Sequence, residues 1–559
     1  MKTPDATPPQ ADETLLMEVP PPQPKRSGGA ASAMIAGGIL LSRVAGLVRE
    51  RVTAQFLGTS LYADAFRAGL RMPNFLQNML GEGTLSASFI PIYSELLHEG
   101  RKEDAGRFAG AIFSLLLALA GVLSLVGVIF APLLTDVFLP GYEGARRELT
   151  IQITRIIFPM TGVLVLSAWS LGILNSHRYF FVPYFAPVLW NAAIITTLFV
   201  FGERMEPGRL VIAMAWGALV GGGLQFLVQL PWVFRLERSL RISWNTRLAG
   251  VREAIRNAGP AIMGRGVVQL SGYVDIFLAS LLAIGAVSTL TYAMTLYLLP
   301  VSLFGMSVAA AELPELSRQR GAALEVLRER ANAALSRISF YIVPSFVGFL
   351  LLGDVIVAAL YQTGQFDRDD TLWVYVTLVG LASGLLASTW SRLFSSTYFA
   401  LRDTRTPARY ATVRVALSAV LGIALMLLFE GVDLGRFQLP AGPLAHVRVA
   451  GHPLGVFGLA LGAGIAAWIE WWLLRRTLKP RVGDVGVPAG MLAKLFGAAL
   501  LGAAAGWGVR LLVPGLYPLL LGLLAVAAFG AVYFGVTAAL GIGEAAAFLG
   551  RFRRVLGRR

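Results

Sequence analysis

From residue 32 to residue 546 the chain is a succession of apolar runs, each about 20 residues or longer, separated by short polar breaks. A run of that length crosses the hydrocarbon core of a bilayer when it is helical, because only a helix satisfies its own backbone there. The pattern predicts an all-α polytopic membrane protein with about 14 transmembrane helices. The spans fall at 32–57, 62–95, 107–138, 150–175, 182–202, 209–234, 253–283, 286–317, 331–361, 371–401, 408–430, 453–475, 488–512 and 516–546. Several exceed the length a perpendicular helix needs, so they tilt, kink or project beyond the membrane. A soluble fold is excluded by the surface it would need. Only 14% of the residues are charged, against roughly 25% in a soluble domain.

The first 30 residues, MKTPDATPPQADETLLMEVPPPQPKRSGGA, are a proline-rich polar stretch that cannot bury a core. They are expected to form a disordered cytoplasmic tail. Lysine and arginine set the orientation: about 27 lie in the even-numbered loops and the two tails, against about 8 in the odd-numbered loops. Both termini are therefore expected in the cytoplasm, with the chain in an inner membrane. Residues 31–235 would form one lobe (spans one to six) and 236–480 a second (spans seven to twelve). Residues 481–559 would supply two further spans and a basic tail. Internal repeats of this kind are common in transporters, whose substrate sits between the halves.

The net charge of +15 does not indicate nucleic acid, because the cations sit in short segments between apolar runs. Without cysteine, and with His98, His177, His446 and His452 far apart, no metal site or metal cofactor is expected. No GxxxxGK[ST], HExxH or GxSxG motif occurs, so the chain reads as a transporter rather than an enzyme.

The informative residues are the charges inside the apolar runs, each costing about 2.5–3.5 kcal/mol at a bilayer centre. The first span carries Arg43, Arg49, Glu50 and Arg51 in SRVAGLVRERV. Arg43 and Glu50 share a helical face, and Arg51 is placed to reach the interface. In the second span Asp64, Arg67, Arg71, Asn78 and Glu82 return near one helical angle, giving a polar wall if the helix is continuous. Pro73 should bend it, and Gly81 and Gly83 let it pack closely. Span seven adds Arg265 and Asp275, and spans ten and eleven add Arg392 and Arg414. Arginines outnumber acids among these, which suits a phosphate-bearing substrate.

The stretches SRVAGLVRE (42–50), ADAF…MPNFLQNMLGEGTLSASFIPIYSE (63–95), LNSHRYFFVPYFAPVLWNAAII (174–195), AGPAIMG (258–264) and FALRDTRTPAR (399–409) resemble the lipid II flippase family, called MurJ or MviN. That family lies within the multidrug/oligosaccharidyl-lipid/polysaccharide exporters. The resemblance implies two six-helix lobes forming a V, with two C-terminal helices flanking a groove for the lipid tail. It implies alternating-access export of the undecaprenyl-pyrophosphate-linked peptidoglycan precursor through a cationic cavity, driven by Na+ or H+ gradients or by membrane potential. Expected partners are lipid II or a similar lipid-linked glycan, membrane lipids and peptidoglycan-synthesis proteins, with the chain itself a monomer.

Arg43 and Arg49 match two essential arginines of the family, Glu50 an acidic position, Asp64 an aspartate and Glu82 the glutamate of its EG motif. Where the family carries two further arginines, this chain has Gln77 and Thr295. Arg67, Arg71 or Arg265 is expected to supply the missing charge, and Asn74 completes the substrate-binding set on span two. Asp275 matches an aspartate of the sodium site in some members, but the partner acid and amide of span eleven have no counterpart in Ala411–Phe429. The departures keep two other readings open: a flippase for another polyprenyl-linked oligosaccharide, and a non-transporting scaffold for envelope synthesis. A drug/cation antiporter would need unpaired acids, where arginines dominate here.

Overall fold

A computed structural model describes residues 28–306, 308, 312, 324–433 and 438–546. The tail expected to be disordered and the basic C-terminal tail lie outside these, apart from the first residues of α1. The first half comprises α1 (Gly28–Leu57), α2 (Leu61–Leu80), α3 (Glu82–Ser88), α4 (Ile90–His98), α5 (Lys102–Ile129) and α6 (Ala131–Phe138). It continues through α7 (Gly144–Ser176), α8 (Phe181–Phe201), α9 (Pro207–Leu227) and α10 (Leu230–Leu236). The second half runs from α11 (Ala249–Ser280) and α12 (Ala286–Pro300), which passes into a π-helical turn at Val301–Met306. Beyond residue 323 come α13 (Leu324–Leu351), α14 (Gly353–Tyr361), α15 (Arg368–Ala382), α16 (Leu385–Ala400) and α17 (Arg405–Phe429). The last helices are α18 (Gly455–Val482), α19 (Ala489–Leu512) and α20 (Pro518–Ala539). Two short antiparallel pairs, Val432–Asp433 with Gln438–Leu439 and Arg448–Val449 with His452–Pro453, ornament the α17–α18 connection.

The chain is a polytopic all-helical membrane protein. Among the described residues, 11 helices are long and apolar enough to cross a membrane. The other three expected spans coincide with α1, α2–α4 and α11, the helices that carry Arg49, Arg67 and Asp275. Charge that lowers a segment's hydropathy is thus gathered where the inward-facing polar groups lie. Outside, Leu125, Val420, Leu501 and Leu523 stand more than half exposed, as lipid-facing residues do.

One expectation needs correction. Span two is not continuous: the helix stops at Gly81, whose ψ of −139° leaves the helical region, and again around Phe89. The break follows Pro73 by two turns, at a glycine flanked by a second one. The face shared by Asp64, Arg67 and Arg71 therefore does not extend to Glu82, which begins α3. Spans three and nine are interrupted likewise, at Phe130 and Leu352.

Packing follows the chain order. Phe66, Ile153, Met160, Leu198 and Met214 form one core among α1, α2, α7, α8 and α9. Phe89, Tyr93, Phe108, Trp169 and Val233 form another among α3, α4, α5, α7 and α10. A third, larger core joins α11 to α20 around Phe340, Trp373, Leu393 and Tyr533. Without a hydrophobic drive between helices in lipid, close approach depends on small residues. Gly462 of α18 lies so near Gly422 of α17 that a Cβ would sit 2.6 Å from the Gly422 nitrogen.

Candidate functional site

The charges of α1 and α2 assemble into two separate groups. In the first, Glu50 receives the guanidinium of Arg49 at 2.6 Å on one oxygen and that of Arg67 at 2.7 Å on the other. Adjacent residues on α1 cannot both face the same way, so Arg49 reaches back around the helix and lies 4.7 Å over the ring of Trp190 on α8. Arg67 is sandwiched instead against Tyr292 of α12, 3.9 Å from its ring centre. Two cations and one acid leave a net positive charge. Arg67 is the more buried of the two arginines, so the accessible part of that charge belongs to Arg49.

The second group is built on Asp64. Its carboxylate is fully buried and takes Arg146 of α7 at 2.6 Å, the Gly285 N–H at 2.8 Å, and both the N–H and hydroxyl of Ser288 at 2.8 and 2.6 Å. The last three donors are the N-terminus of α12, where free N–H groups and the helix dipole favour an anion. Gly285 makes this possible at φ +92°, because a side chain there would collide with the Thr59 carbonyl. The same turn is held from the other side by Glu430, which accepts the Ala283 N–H at 2.5 Å. Burial pushes this carboxyl, just beyond the end of α17, up to about 7.

Around Asp64 the α1–α2 turn is fastened to the second half of the chain. Thr59 donates to Asp370 of α15, Tyr292 donates to the Gly58 carbonyl at 3.2 Å, and the Gln365 N–H donates to the Gln55 carbonyl at 2.8 Å. Arg51 spans further. It donates to the carbonyls of Ala359 and Leu360 at 2.7 and 3.0 Å, the end of α14, and to the Tyr517 hydroxyl at 3.1 Å. This end of the molecule is closed.

Several sequence expectations change here. Asp64 and Arg67, expected in the substrate-binding set, are each buried and paired, with Arg146 and with Glu50. Arg51 caps a helix C-terminus rather than reaching an interface, since orphan carbonyls there accept a cation. Arg43 is not drawn to Glu50; it is exposed and reaches Ser302 of the π-helical turn at 2.6 Å. Thr295 gives its hydroxyl to its own helix, at the Thr291 carbonyl. The side chains of Glu82 and Arg265 lie outside the described residues. Arg71 remains partly exposed, its guanidinium 5.9 Å from the Tyr273 ring centre.

In the second half, Asp275 of α11 lies in the field of Arg414 and Arg71. Arg414 is itself paired with Glu470 of α18 at 3.0 Å. Glu470 was missed by sequence reasoning, although a lone acid within GIAAWIEWWLL is the signal that should mark it. Arg146 gave no such signal, because α7 starts six residues before the expected span.

Asn74, Gln77 and Asn78 lie on one face of α2, three and four residues apart. They line a cavity of about 420 Å³ with Leu164, Ser167 and Leu171 of α7, Pro183, Pro187 and Trp190 of α8, and Gln225 of α9. Trp190, which also carries Arg49, joins this cavity to the first charge group.

Residues 53–438 match the family described as lipid II flippase MurJ. The chain is 32% identical over 388 residues to the lipid II flippase MurJ of Burkholderia cenocepacia, covering 67% of this chain and 74% of that one. It is 30% identical over 527 residues to a probable lipid II flippase MurJ of Bdellovibrio bacteriovorus, covering 89% and 93%. The fold matches a solved structure of lipid II flippase MurJ in an inward closed conformation with a TM-score of 0.70 at 24% identity, covering 94% of this chain and all of that one. An inward-facing multidrug transporter of the MATE family matches less closely, with a TM-score of 0.62 at 16% identity over 81% of this chain.

Proposed function

Because the chain belongs to the lipid II flippase MurJ family, we propose that it carries lipid II across the bacterial inner membrane by alternating access. The observation that carries this reading is the surplus charge at Arg49. Glu50 is divided between two arginines, so one guanidinium remains in excess beside a cavity, where phosphate oxygens could engage it. The bias of lysine and arginine among the loops supports a reading with both termini in the cytoplasm. The closed end around Asp64 then faces outward, and loading takes place from the cytoplasmic side. The reading is of a secondary-type transporter, acting as a monomer, without a catalytic centre.

The test is complementation of a bacterium depleted of its own lipid II flippase. The wild-type chain is expected to restore growth, and the Arg43→Ala/Arg49→Ala variant to fail despite normal membrane insertion. Failure by a well-expressed wild type would overturn the assignment in favour of another lipid-linked glycan.

For coupling, the reading favours the electrical gradient over sodium. The acid and amide that would complete a sodium site with Asp275 have no counterpart in Ala411–Phe429, and the charged groups in its surroundings are Arg414 and Arg71. An anionic cargo moving outward gains about 2.3 kcal/mol per charge per 100 mV. In proteoliposomes, exchanging Na+ for K+ at fixed potential should leave the flipping rate unchanged, while an inside-negative potential should raise it. Loss of transport on removing Na+ would defeat this proposal.

A further inference from the structure

The cavity between α2, α7, α8 and α9 has a chemistry unlike the arginine group beside it. Among the described residues, its lining contains no charged side chain. It presents four side-chain amides (Asn74, Gln77, Asn78 and Gln225), the Ser167 hydroxyl and the indole of Trp190. Among the described residues, the amides of Asn74, Gln77 and Asn78 make no hydrogen bond, so their donors and acceptors are available to a ligand. Ser167 is fixed from behind by the Gln229 amide at 2.7 Å, and Gln225 approaches it at 3.4 Å. A volume of about 420 Å³ lies within the usual range of small-ligand sites.

We propose that this cavity seats the first sugar of the cargo, a neutral pyranose bearing hydroxyls and an amide. The inference rests on the lipid II reading above and specifies which part of the substrate goes where. Among the described residues no cation lines the cavity itself, so phosphate and carboxylate are poorer occupants of it than a neutral group. Side-chain amides offer a donor and an acceptor side by side, which matches vicinal hydroxyls and acetamido groups. Trp190 supplies an apolar face and a fixed position. The order of the sites also matches the order of the bonds. Arg49 lies on the Trp190 ring, so an anion site and a neutral polyol site share one wall, as a phosphate and the sugar esterified to it share one oxygen. Gln77 is then a sugar ligand in this chain rather than a lost phosphate ligand.

The test measures affinities of the purified full-length chain in nanodiscs for three probes: undecaprenyl pyrophosphate, the same lipid carrying only the disaccharide (its lactyl carboxyl, otherwise freed by loss of the peptide, capped as an amide), and complete lipid II. The wild type should hold the disaccharide lipid about tenfold more tightly than the sugar-free one, the equivalent of one or two neutral hydrogen bonds. Gln77→Leu/Asn78→Leu should bring that ratio close to one, and Gln225→Leu, on the opposite wall, should reduce it severalfold. Thermal unfolding checks that each variant is folded, and Gln225→Leu decides the matter if the double variant is not. A ratio unchanged in the folded variants would overturn the proposal, as would a wild type without preference for the disaccharide. A preference lost only for the peptide-bearing lipid would assign the cavity to the peptide and overturn the sugar assignment. Arg49→Ala, measured alongside, should weaken binding of all three lipids. If it does not, the flippase reading suffers, while the sugar ratio still judges the cavity.

Discussion

Asp64→Ala is expected to open the closed end and to destabilise the protein by about 3–5 kcal/mol, the usual cost of removing one partner from a buried ion pair. The substitution strips Arg146 of its carboxylate while leaving it buried, 3.7 Å from the Tyr142 ring centre. It also frees the Gly285 and Ser288 N–H groups at the start of α12. Because the protein has no cysteine, a single Ser60→Cys reporter gives an unambiguous thiol at this end. In the parent carrying only that reporter, labelling by a membrane-impermeant maleimide should be slow; adding Asp64→Ala should speed it and lower the unfolding midpoint. Equal labelling and equal thermal stability would show that the Asp64 contacts do not hold the closure.

A second large effect is expected at Glu50. Glu50→Gln leaves Arg67 buried with no anion and Arg49 with no ion-pair partner, a loss again of about 3–5 kcal/mol. Arg49→Ala should cost less stability, because Glu50 keeps Arg67, yet abolish transport. Glu50→Gln combined with Arg67→Met should recover much of the stability, since an apolar side chain of similar length can fill the place beside Tyr292. Unfolding of the purified variants measures this directly. A double variant no more stable than Glu50→Gln alone would mean that Arg67 is not the stranded charge.

These two sites also mark how far the sequence could be read. The spans were legible because an apolar run of helical length has one stable solution in a bilayer. That Arg49 and Glu50 sit in a polar interior was legible from the cost of placing charge in an apolar run. Their partners were not. Two of the four donors that hold Asp64 are backbone N–H groups 221 and 224 residues away, and backbone groups leave no trace in residue identity. Arg67 carried the same periodic signal as Arg71, and only the packing of Tyr292 separates the buried one from the more open one. The polar wall of span two ended early because Gly81 was read as a packing residue, whereas it terminates the helix. The amide cavity escaped notice for a simpler reason. Gln225 and Trp190 are neutral residues in apolar runs, and neither meant anything until α8 and α9 had been set beside α2.

The bonds made by Arg51 bear on how such a chain is manufactured. Its last partner, Tyr517, lies 466 residues further on. At roughly 5–20 residues per second, a ribosome needs on the order of 20–90 s to make that distance. For about two thirds of that interval α1 is in the membrane or its insertion machinery with a guanidinium none of whose acceptors has been synthesised; the carbonyls of Ala359 and Leu360 come first, and the hydroxyl only at the end. The first helix to emerge is therefore among the last to acquire its final neighbours, and the newborn N-terminal segment needs shelter from lipid until the C-terminal hairpin arrives.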